Sequence, residues 1–388
     1  MKTFSNNELD ADIIDWPVYM QRALDLACNV ISASPNPRVG CVLVKEKLIV
    51  GEGWHIAAGQ AHAEVMALQH AGDQAESAIA FVSLEPCAHT GRTGPCTTAL
   101  IQAGVSKVVI AGIDPNPLVS GEGVAKLIAA GIEVFHLADF ESAARAINPG
   151  YFKLKETGLP YVRCKMAMSL DGRTALANGE SKWITGDLAR SDVQYLRASS
   201  SAIITGVETV LADDPSLNVR SNELGFSKAQ LERNRLALVE QPLRVILDSK
   251  LRTPDTAKSL TGEGSVKIFT AQETPGNEGL GSNVQVLVAK HSGQRVNLRS
   301  VLESLASDFA CSEVLLEAGA TLSGAFIQAE LVDELIIYIA PMLLGSDARA
   351  LLNISGLQSL SDSINLDVVD LRKVGKDIRV TARPVYSF

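Results

Sequence analysis

A chain of 388 residues, 46% hydrophobic and 20% charged, is too long for one ordinary core and reads as a globular protein of two domains. Its formal charge of −9 argues against broad nucleic-acid binding, which rests on neutralising phosphates, but leaves room for a local basic pocket holding one small phosphorylated ligand. The opening residues, Met1 to Asp15, are polar and acidic, so no secretory signal is expected, and no stretch approaches the roughly 20 apolar residues of a membrane helix.

Along the chain, residues 16–32 carry a helical pattern that SASPNPRVG breaks. CVLVK and LIVGEGW then read as two strands of a hairpin around a short KEK turn. AHAEVMALQHA follows as a helix, AIAFVSLE as a strand, TTALIQAG as a helix, KVVIAGID as a strand, GVAKLIAAG as a helix and IEVFHL as a strand. This alternation implies an α/β layer structure whose sheet is largely parallel after the first hairpin. Around Asn148–Pro160 the pattern resets, which sets the division at 1–155 and 156–388. PYVRCKMAMSLDG opens a second series of strands, continued by SAIITG, LRVILDS, VKIFTA, VQVLVA, EVLLEAG and ELIIYIAP. Residues 221–241 and 272–283 look like exposed insertions, and neither internal repeats nor low-complexity tracts occur.

The six cysteines suggest no disulfide framework in so large a chain without a signal peptide, and point to a reducing compartment, the cytoplasm by default. Cys28, Cys41, Cys164 and Cys311 sit in apolar or strand-like surroundings and are expected to be buried thiols. Cys87 and Cys96 differ, because they share one loop rich in Gly, Pro and Thr.

That loop completes a metal-binding pattern. His62-Ala63-Glu64 opens a helix, Pro86-Cys87 closes a strand, and Cys96 starts the next helix. Helix N-termini stabilise thiolates, the form of cysteine that binds metal. One His and two Cys make three zinc ligands and leave the fourth tetrahedral position for water. Glu64, two residues after the ligand, is placed to move protons between the attacking water and departing ammonia. Zinc base deaminases carry H-x-E followed by P-C-x-x-C; here eight residues, not two, separate the cysteines. His55 and His89 read as a substrate contact or a solvated loop position rather than ligands.

NPRVG (36–40), GEGWH (51–55), AHAE (61–64), LEPCAHTGRTGPC (84–96) and IDPNPLVSGEG (113–123) resemble the bifunctional deaminase/reductase family of riboflavin biosynthesis. KMAMSLDGR (165–173), GESKWIT (179–185), VLADDPSLNVR (210–220), LLEAGATLSGAF (315–326) and YIAPMLLG (338–345) extend the likeness over about residues 16–385, and the long spacing between the cysteines is that family's own. The resemblance implies a cytidine-deaminase-like three-layer domain and a dihydrofolate-reductase-like domain. It further implies deamination of a diaminopyrimidine bearing a ribosylamino 5-phosphate, then reduction of the ribosyl group to ribityl with NADPH. By position it makes His62, Cys87 and Cys96 the zinc ligands, Glu64 the proton shuttle and Asn36 the holder of the pyrimidine edge. Ala167, Trp183, Thr209, Asp213 and Ser249 fall on dinucleotide positions, with Gly319, Ala320, Thr321, Leu322, Ser323, Gly324 and Ala325 around the NADPH. Ser181, Arg197, Leu217, Arg220 and Glu317 fall on substrate positions. The implied partners are small phosphoribosylaminopyrimidines, with no nucleic acid and no membrane, and a homo-oligomer is compatible with the chain.

Read on their own residues, the reductase motifs say less. Glycines in VLLEAGATLSGAF let backbone N–H groups approach a phosphate at a helix N-terminus, but serve equally for packing. Asp213-Asp214-Pro215 suits a turn and helix cap, and Arg197 and Arg220 offer either a bidentate fork or plain surface charge. Two rivals to the deaminase reading are weaker. A base-flipping editing enzyme fits poorly with the acidic charge and 5% aromatic residues, and an inactive module fits poorly with an intact His62/Glu64/Cys87/Cys96 set.

Overall fold

The computed structural model describes residues 1–4, 15–89, 94–117, 119–180, 184–273, 276 and 279–386. The chain forms two compact units: Met1–Gly158 with Ala229–Ala237, and Leu159–Lys228 with Leu238–Phe388. Among the described residues no helix is long and apolar enough to cross a membrane.

The first unit holds strands β1 (Lys2–Phe4), β2 (Gly40–Lys45), β3 (Leu48–Trp54), β4 (Ile79–Val82), β5 (Lys107–Ile110) and β6 (Glu133–Leu137). Its helices are α1 (Trp16–Ala27), α2 (Ala63–Ala71), α3 (Cys96–Gln102), α4 (Glu122–Ala129), α5 (Glu141–Ile147) and α6 (Pro149–Thr157). The sheet runs β1-β6-β5-β4-β2-β3, with the β2–β3 hairpin antiparallel and β4, β5, β6 and β1 parallel. One apolar layer joins Leu43, Ala67, Leu100 and Leu127; another, on Val42, Phe81 and Phe135, takes Met20 and Ala144. Side chains of β2 alternate between the two layers, so the sheet is covered on both faces. The expected parallel α/β layers after the hairpin are observed. β1, inside the polar leader, was not anticipated.

Two glycines decide how α2 lies. A Cβ at Gly51 would sit 2.3 Å from the Ala67 carbonyl oxygen, and one at Gly53 would sit 2.3 Å from that of Ala63. Only glycine lets the helix backbone rest directly on β3, which fixes the first turn of α2 over the sheet. The expected helix over 16–32 ends at Ala27 instead. Val30 and Ile31 are buried beyond it, and the Ile31 N–H donates to the Asn234 side chain at 2.6 Å rather than to a carbonyl one turn back.

In the second half of the chain the strands are β7 (Tyr161–Ser169), β8 (Arg173–Ala175), β9 (Ala202–Gly206), β10 (Leu243–Leu247), β11 (Val266–Thr270), β12 (Val284–Val288), β13 (His291–Ser292), β14 (Arg295–Val296), β15 (Glu313–Leu316), β16 (Glu334–Ala340), β17 (Arg349–Ala350), β18 (Asn365–Val374) and β19 (Asp377–Val385). The helices are α7 (Asp187–Ala198), α8 (Val207–Asp213), α9 (Lys228–Arg233), α10 (Arg235–Val239), α11 (Leu298–Ser307) and α12 (Ala320–Gln328). Among the described residues nine strands make one sheet in the order β12-β11-β10-β9-β15-β7-β16-β19-β18, in which only β19 runs opposite to the rest. The chain runs outward from β9 to β12, then returns to insert β15 between β9 and β7. Ligand sites of such open sheets lie beyond the carboxyl ends of the strands where the order reverses.

Three expectations need correcting. Residues 221–241 are not simply an exposed insertion: they contain α9 and α10, and Asn234 is 4% exposed. Cys28 is exposed just past the end of α1, whereas Cys41, Cys164 and Cys311 are buried as expected. The long β18–β19 hairpin was not anticipated, although Ile378, Val380 and Ala382 alternate along β19 after the Gly375-Lys376 turn; most of β18 faces solvent.

Candidate functional site

His62 caps α2 in an extended conformation, and its carbonyl accepts the Met66 N–H at 3.1 Å. Cys96 is the first residue of α3, after Pro95. β4 ends at Val82, so Cys87 stands on a loop rather than at the strand end the sequence suggested. The loop is held at the helix start, where Thr97 donates both its N–H and its hydroxyl to the Cys87 carbonyl at 3.2 Å. The Cys96 N–H points at Cys87 Sγ, 3.4 Å away.

These elements bring His62 Nδ1 to 3.6 Å from Cys87 Sγ and 3.2 Å from Cys96 Sγ, all three ligand atoms lying within 4.8 Å of one another. A tetrahedral zinc with usual bond lengths separates its nitrogen and sulfur ligands by about 3.6 Å. The residues present therefore fit a zinc ion. A hydrogen bond from Cys96, reinforced by His62, holds the Cys87 thiol down to about 4, and the same bond pushes Cys96 up. His62 is raised, chiefly by its hydrogen bond with Cys87. Glu64 is 3% exposed, and burial, with the negative charge of Cys87, pushes its carboxyl up to about 7.

Asn36 lies beside this cluster, its Nδ2 3.0 Å from His55 Nε2. The other ring nitrogen, Nδ1, is 3.1 Å from the Ala61 carbonyl oxygen, which can only accept. His55 is therefore protonated on Nδ1, and its Nε2 accepts from the Asn36 amide. Burial lowers the His55 pKa and favours this neutral form. His55 is thus an orienting partner of Asn36, whereas His89 is exposed.

One residue of this site was passed over in the sequence. The buried Glu85 carboxylate accepts N–H bonds from Asp114 (3.2 Å), Gly121 (3.0 Å) and Val124 (3.1 Å), tying the 113–124 segment beneath the Pro86-Cys87 turn. A Cβ at Gly123 would lie 2.0 Å from the Pro86 carbonyl oxygen, so α4 starts directly against that turn. The signal was an acid held between the apolar Leu84 and Pro86.

In the second unit, Ala167, Ser249, Glu317 and Gly319 lie at or just past the carboxyl ends of β7, β10 and β15, and Thr209 is in the first turn of the helix after β9. The Gly319 N–H donates to Thr209 Oγ1 at 3.2 Å, joining the starts of α8 and α12. Ser249 Oγ accepts the Val296 N–H at 3.2 Å. Ala320, Thr321, Leu322 and Ala325 are half-buried or exposed along α12, whereas Ser323 and Gly324 are buried. Gly324 is glycine because a Cβ there would lie 2.2 Å from the Asn353 carbonyl oxygen, and Gly319 meets only Thr209 Oγ1 at 3.8 Å. Asp213 is exposed and ends α8, and Asp214 forms the left-handed cap at φ 43°. The Leu217 side chain belongs to the core with Val193, Ile203 and Tyr338, so only its backbone is free for a ligand. Trp183 and Ser181 lie outside the described residues.

The fork of Arg197 is spent inside the protein. Its Nε and Nη2 donate to the two Glu317 oxygens at 2.6 and 3.0 Å, and its Nη1 to the Asn218 carbonyl at 3.1 Å. Burial pushes the Glu317 carboxyl up, but Arg197 and Lys165 outweigh it and the net shift is downward. Lys165, unremarked in the sequence, stands 4.0 Å from Glu317 and is lowered by burial; a lysine in the middle of an apolar strand was its only signal. Arg220 is more open, bonded to Glu223 Oε1 at 2.6 Å and, more weakly, to Asn218 Oδ1 at 3.4 Å.

Comparison with known proteins agrees with both halves. The family described as the cytidine and deoxycytidylate deaminase zinc-binding region matches residues 17–112, and the RibD C-terminal domain matches residues 160–380. The riboflavin biosynthesis protein RibD of Haemophilus influenzae is 47% identical over 368 residues, covering 95% of this chain and 97% of that protein. The Escherichia coli protein of the same name is 46% identical over 361 residues, covering 93% and 97%. The solved structure of Acinetobacter baumannii RibD, form 1, superposes with a TM-score of 0.86 at 46% identity over 95% of this chain and 98% of that one. A diaminohydroxyphosphoribosylaminopyrimidine deaminase/5-amino-6-(5-phosphoribosylamino)uracil reductase from Thermotoga maritima gives 0.82 at 30% identity, covering 95% and 99%. With this extent of likeness over both units, the chain belongs to the RibD family of bifunctional riboflavin-biosynthesis enzymes, which join a zinc-region deaminase to a reductase.

Proposed function

We propose that residues 1–155 carry the hydrolytic deamination of 2,5-diamino-6-(5-phosphoribosylamino)pyrimidin-4-one, and residues 156–388 the NADPH-dependent reduction of its ribosyl side chain to ribityl. The observation that carries the first assignment is the convergence of His62 Nδ1, Cys87 Sγ and Cys96 Sγ beside the buried Glu64. His62, Cys87 and Cys96 would hold a zinc ion, which would supply Lewis acidity to make the attacking water more acidic. Glu64 takes a proton from the attacking water and delivers it to the departing amine, which leaves as ammonia. Asn36, its amide oriented by His55, holds the pyrimidine edge.

For the reductase, NADPH supplies the hydride, and the protein's work is to position both reactants. Ala167, Thr209, Asp213, Ser249 and the Gly319–Ala325 turn would hold the dinucleotide at the carboxyl edge of the sheet, together with Trp183. The N-terminus of α12 faces an anionic ligand favourably. Ser181, Leu217 and Arg220 would contact the substrate, Arg220 as the guanidinium open to a sugar phosphate. Arg197 and Glu317 act there as a pair, with Lys165 alongside.

We place the protein in the cytoplasm, a reading supported by six free cysteines. We also assign β18 to self-association: among the described residues it is an edge strand, with Leu371 68% exposed and Leu366 and Val368 also exposed. Antiparallel pairing of two copies about Val369–Asp370 sets Val368 opposite Leu371 and Asp367 opposite Arg372, matching apolar groups and opposite charges.

Ultraviolet spectra of the purified protein with the phosphoribosylaminopyrimidine test the two-step assignment. Ammonia release without NADPH, and NADPH consumption only after it, are expected. NADPH consumption with no ammonia released would contradict the assigned order.

A further inference from the structure

The segment between α1 and β2, residues 28–39, carries Asn36 to its place against His55. Within the segment Asn36 N–H donates to the Ala33 carbonyl at 3.0 Å, Ser34 N–H to Ser32 Oγ at 3.3 Å and Arg38 Nη1 to the Val30 carbonyl at 3.5 Å, and its far end is held by Asn148, which accepts the Arg38 N–H at 2.8 Å and donates to the Arg38 carbonyl at 2.9 Å. Its first turn is also held from far away in sequence. Asn234 Oδ1 accepts the Ile31 N–H at 2.6 Å, and its Nδ2 reaches the Asn29 carbonyl at 3.4 Å. One side-chain amide thus clasps the backbone on both sides of Val30. Asn234 is itself locked, its Nδ2 donating to the Gln230 carbonyl at 2.9 Å.

The neighbouring Arg233 adds a second hold. Its Nη1 donates to Asn29 Oδ1 at 2.6 Å, and its guanidinium lies 5.8 Å from the centre of the Trp54 ring. Trp54 ends β3 and directly precedes His55. Both partners of the Asn36–His55 bond are therefore approached through 233–234, one by each residue. The nine residues Ala229–Ala237 pack with the first unit although the chain on either side of them packs with the second.

We propose that Asn234, supported by Arg233, is a positioning residue of the deaminase step, holding the 28–36 segment so that the Asn36 amide meets the pyrimidine already aligned. The inference rests on the reading of Asn36 as the pyrimidine contact. Removing the acceptor leaves a buried Ile31 N–H unsatisfied, which disfavours the present path of the segment. A segment that leaves this path is competent for only part of the time, and the apparent affinity falls by that fraction. Chemistry at the metal cluster, once substrate is seated, is unaffected.

The test is steady-state kinetics of full-length Asn234→Ala, Asn234→Asp, Arg233→Met and Asn36→Ala. Deamination by Asn234→Ala should show KM raised about tenfold with kcat within about twofold of the parent. Reduction of pre-deaminated substrate by the same preparation should be unchanged, which also reports an intact fold. Asn234→Asp keeps the acceptor for the Ile31 N–H but loses the donor to the Gln230 and Asn29 carbonyls, so its KM should fall between those of the parent and Asn234→Ala, whereas Arg233→Met should raise KM about threefold. If Asn36→Ala raises KM and Asn234→Ala does not, the positioning role is overturned while the Asn36 reading stands. If Asn36→Ala leaves KM unchanged, that reading falls and the positioning role with it. A loss in Asn234→Ala confined to kcat would likewise overturn it.

Discussion

Arg197 and Glu317 form a two-point ion pair, Nε to Oε1 at 2.6 Å and Nη2 to Oε2 at 3.0 Å, with both side chains 11% exposed. Breaking such a pair leaves a buried charge unpaired, which costs about 3–5 kcal/mol, while replacing both partners costs far less. Arg197→Ala should therefore lower the thermal midpoint of the second unit markedly, and Arg197→Met combined with Glu317→Gln should restore much of it. The pH dependence has a definite sign. Glu317 is depressed in the folded state, so its contribution is present above the ordinary glutamate value of about 4.3 and is lost as pH falls through the lowered folded value. Acid unfolding followed by circular dichroism should show a steep component in the parent that Glu317→Gln lacks.

One tightly bound zinc per chain is expected from the His62, Cys87 and Cys96 cluster. Cys87→Ser removes the thiolate that this geometry favours. Metal analysis after dialysis should show clear loss of zinc, and full retention would remove Cys87 from the ligand set.

The two glycines of the α12 turn should behave differently. Gly324→Ala forces a Cβ to 2.2 Å from the Asn353 carbonyl oxygen and should destabilise the second unit, visible as a lower melting midpoint. A Cβ at Gly319 meets nothing nearer than 3.8 Å within the protein. Gly319→Val should fold normally yet raise the KM for NADPH sharply, because the branched side chain stands where backbone must approach phosphate. Arg220→Ala should raise KM for the phosphorylated sugar substrate and leave NADPH unaffected. Equal damage to NADPH binding by Gly319→Val and Arg220→Ala would contradict this division between cofactor and substrate positions.

Sedimentation velocity addresses the exposed edge of β18. The parent should sediment as a dimer at micromolar concentration, and Leu371→Glu, which puts a charge against Val368 of a second copy, as a monomer. An unchanged profile would rule out this edge as the contact.

Much of both sheets was legible in the sequence because their strands are apolar runs between turn signals, and the metal cluster because its residues recur at a chemically meaningful spacing. What stayed hidden shares one cause: it depends on which distant groups meet. Arg197 read as either a phosphate fork or a plain surface charge because nothing local shows that Glu317, 120 positions on, occupies it. Glu85 looked like part of a motif, yet its carboxylate serves backbone groups 29 to 39 residues away. Asn234 sat in a polar stretch resembling a solvated insertion, since helices that bury one face on another part of the chain keep mostly polar residues. The β18–β19 hairpin was legible but passed over, since Ile378, Val380 and Ala382 alternate after the Gly375-Lys376 turn.

One chain is assigned two chemistries, with Glu64 moving the protons of the first. The most direct measurement compares Glu64→Gln with the parent in three assays on one preparation: zinc content, ammonia release from the diaminopyrimidine, and NADPH oxidation with pre-deaminated substrate. Zinc should be retained, deamination should fall by at least about a hundredfold, the scale of a lost acid–base group, and NADPH oxidation should be unchanged. Deamination persisting at parental rate would show that another residue shuttles the proton, and loss of both activities together would contradict the separation of the two sites.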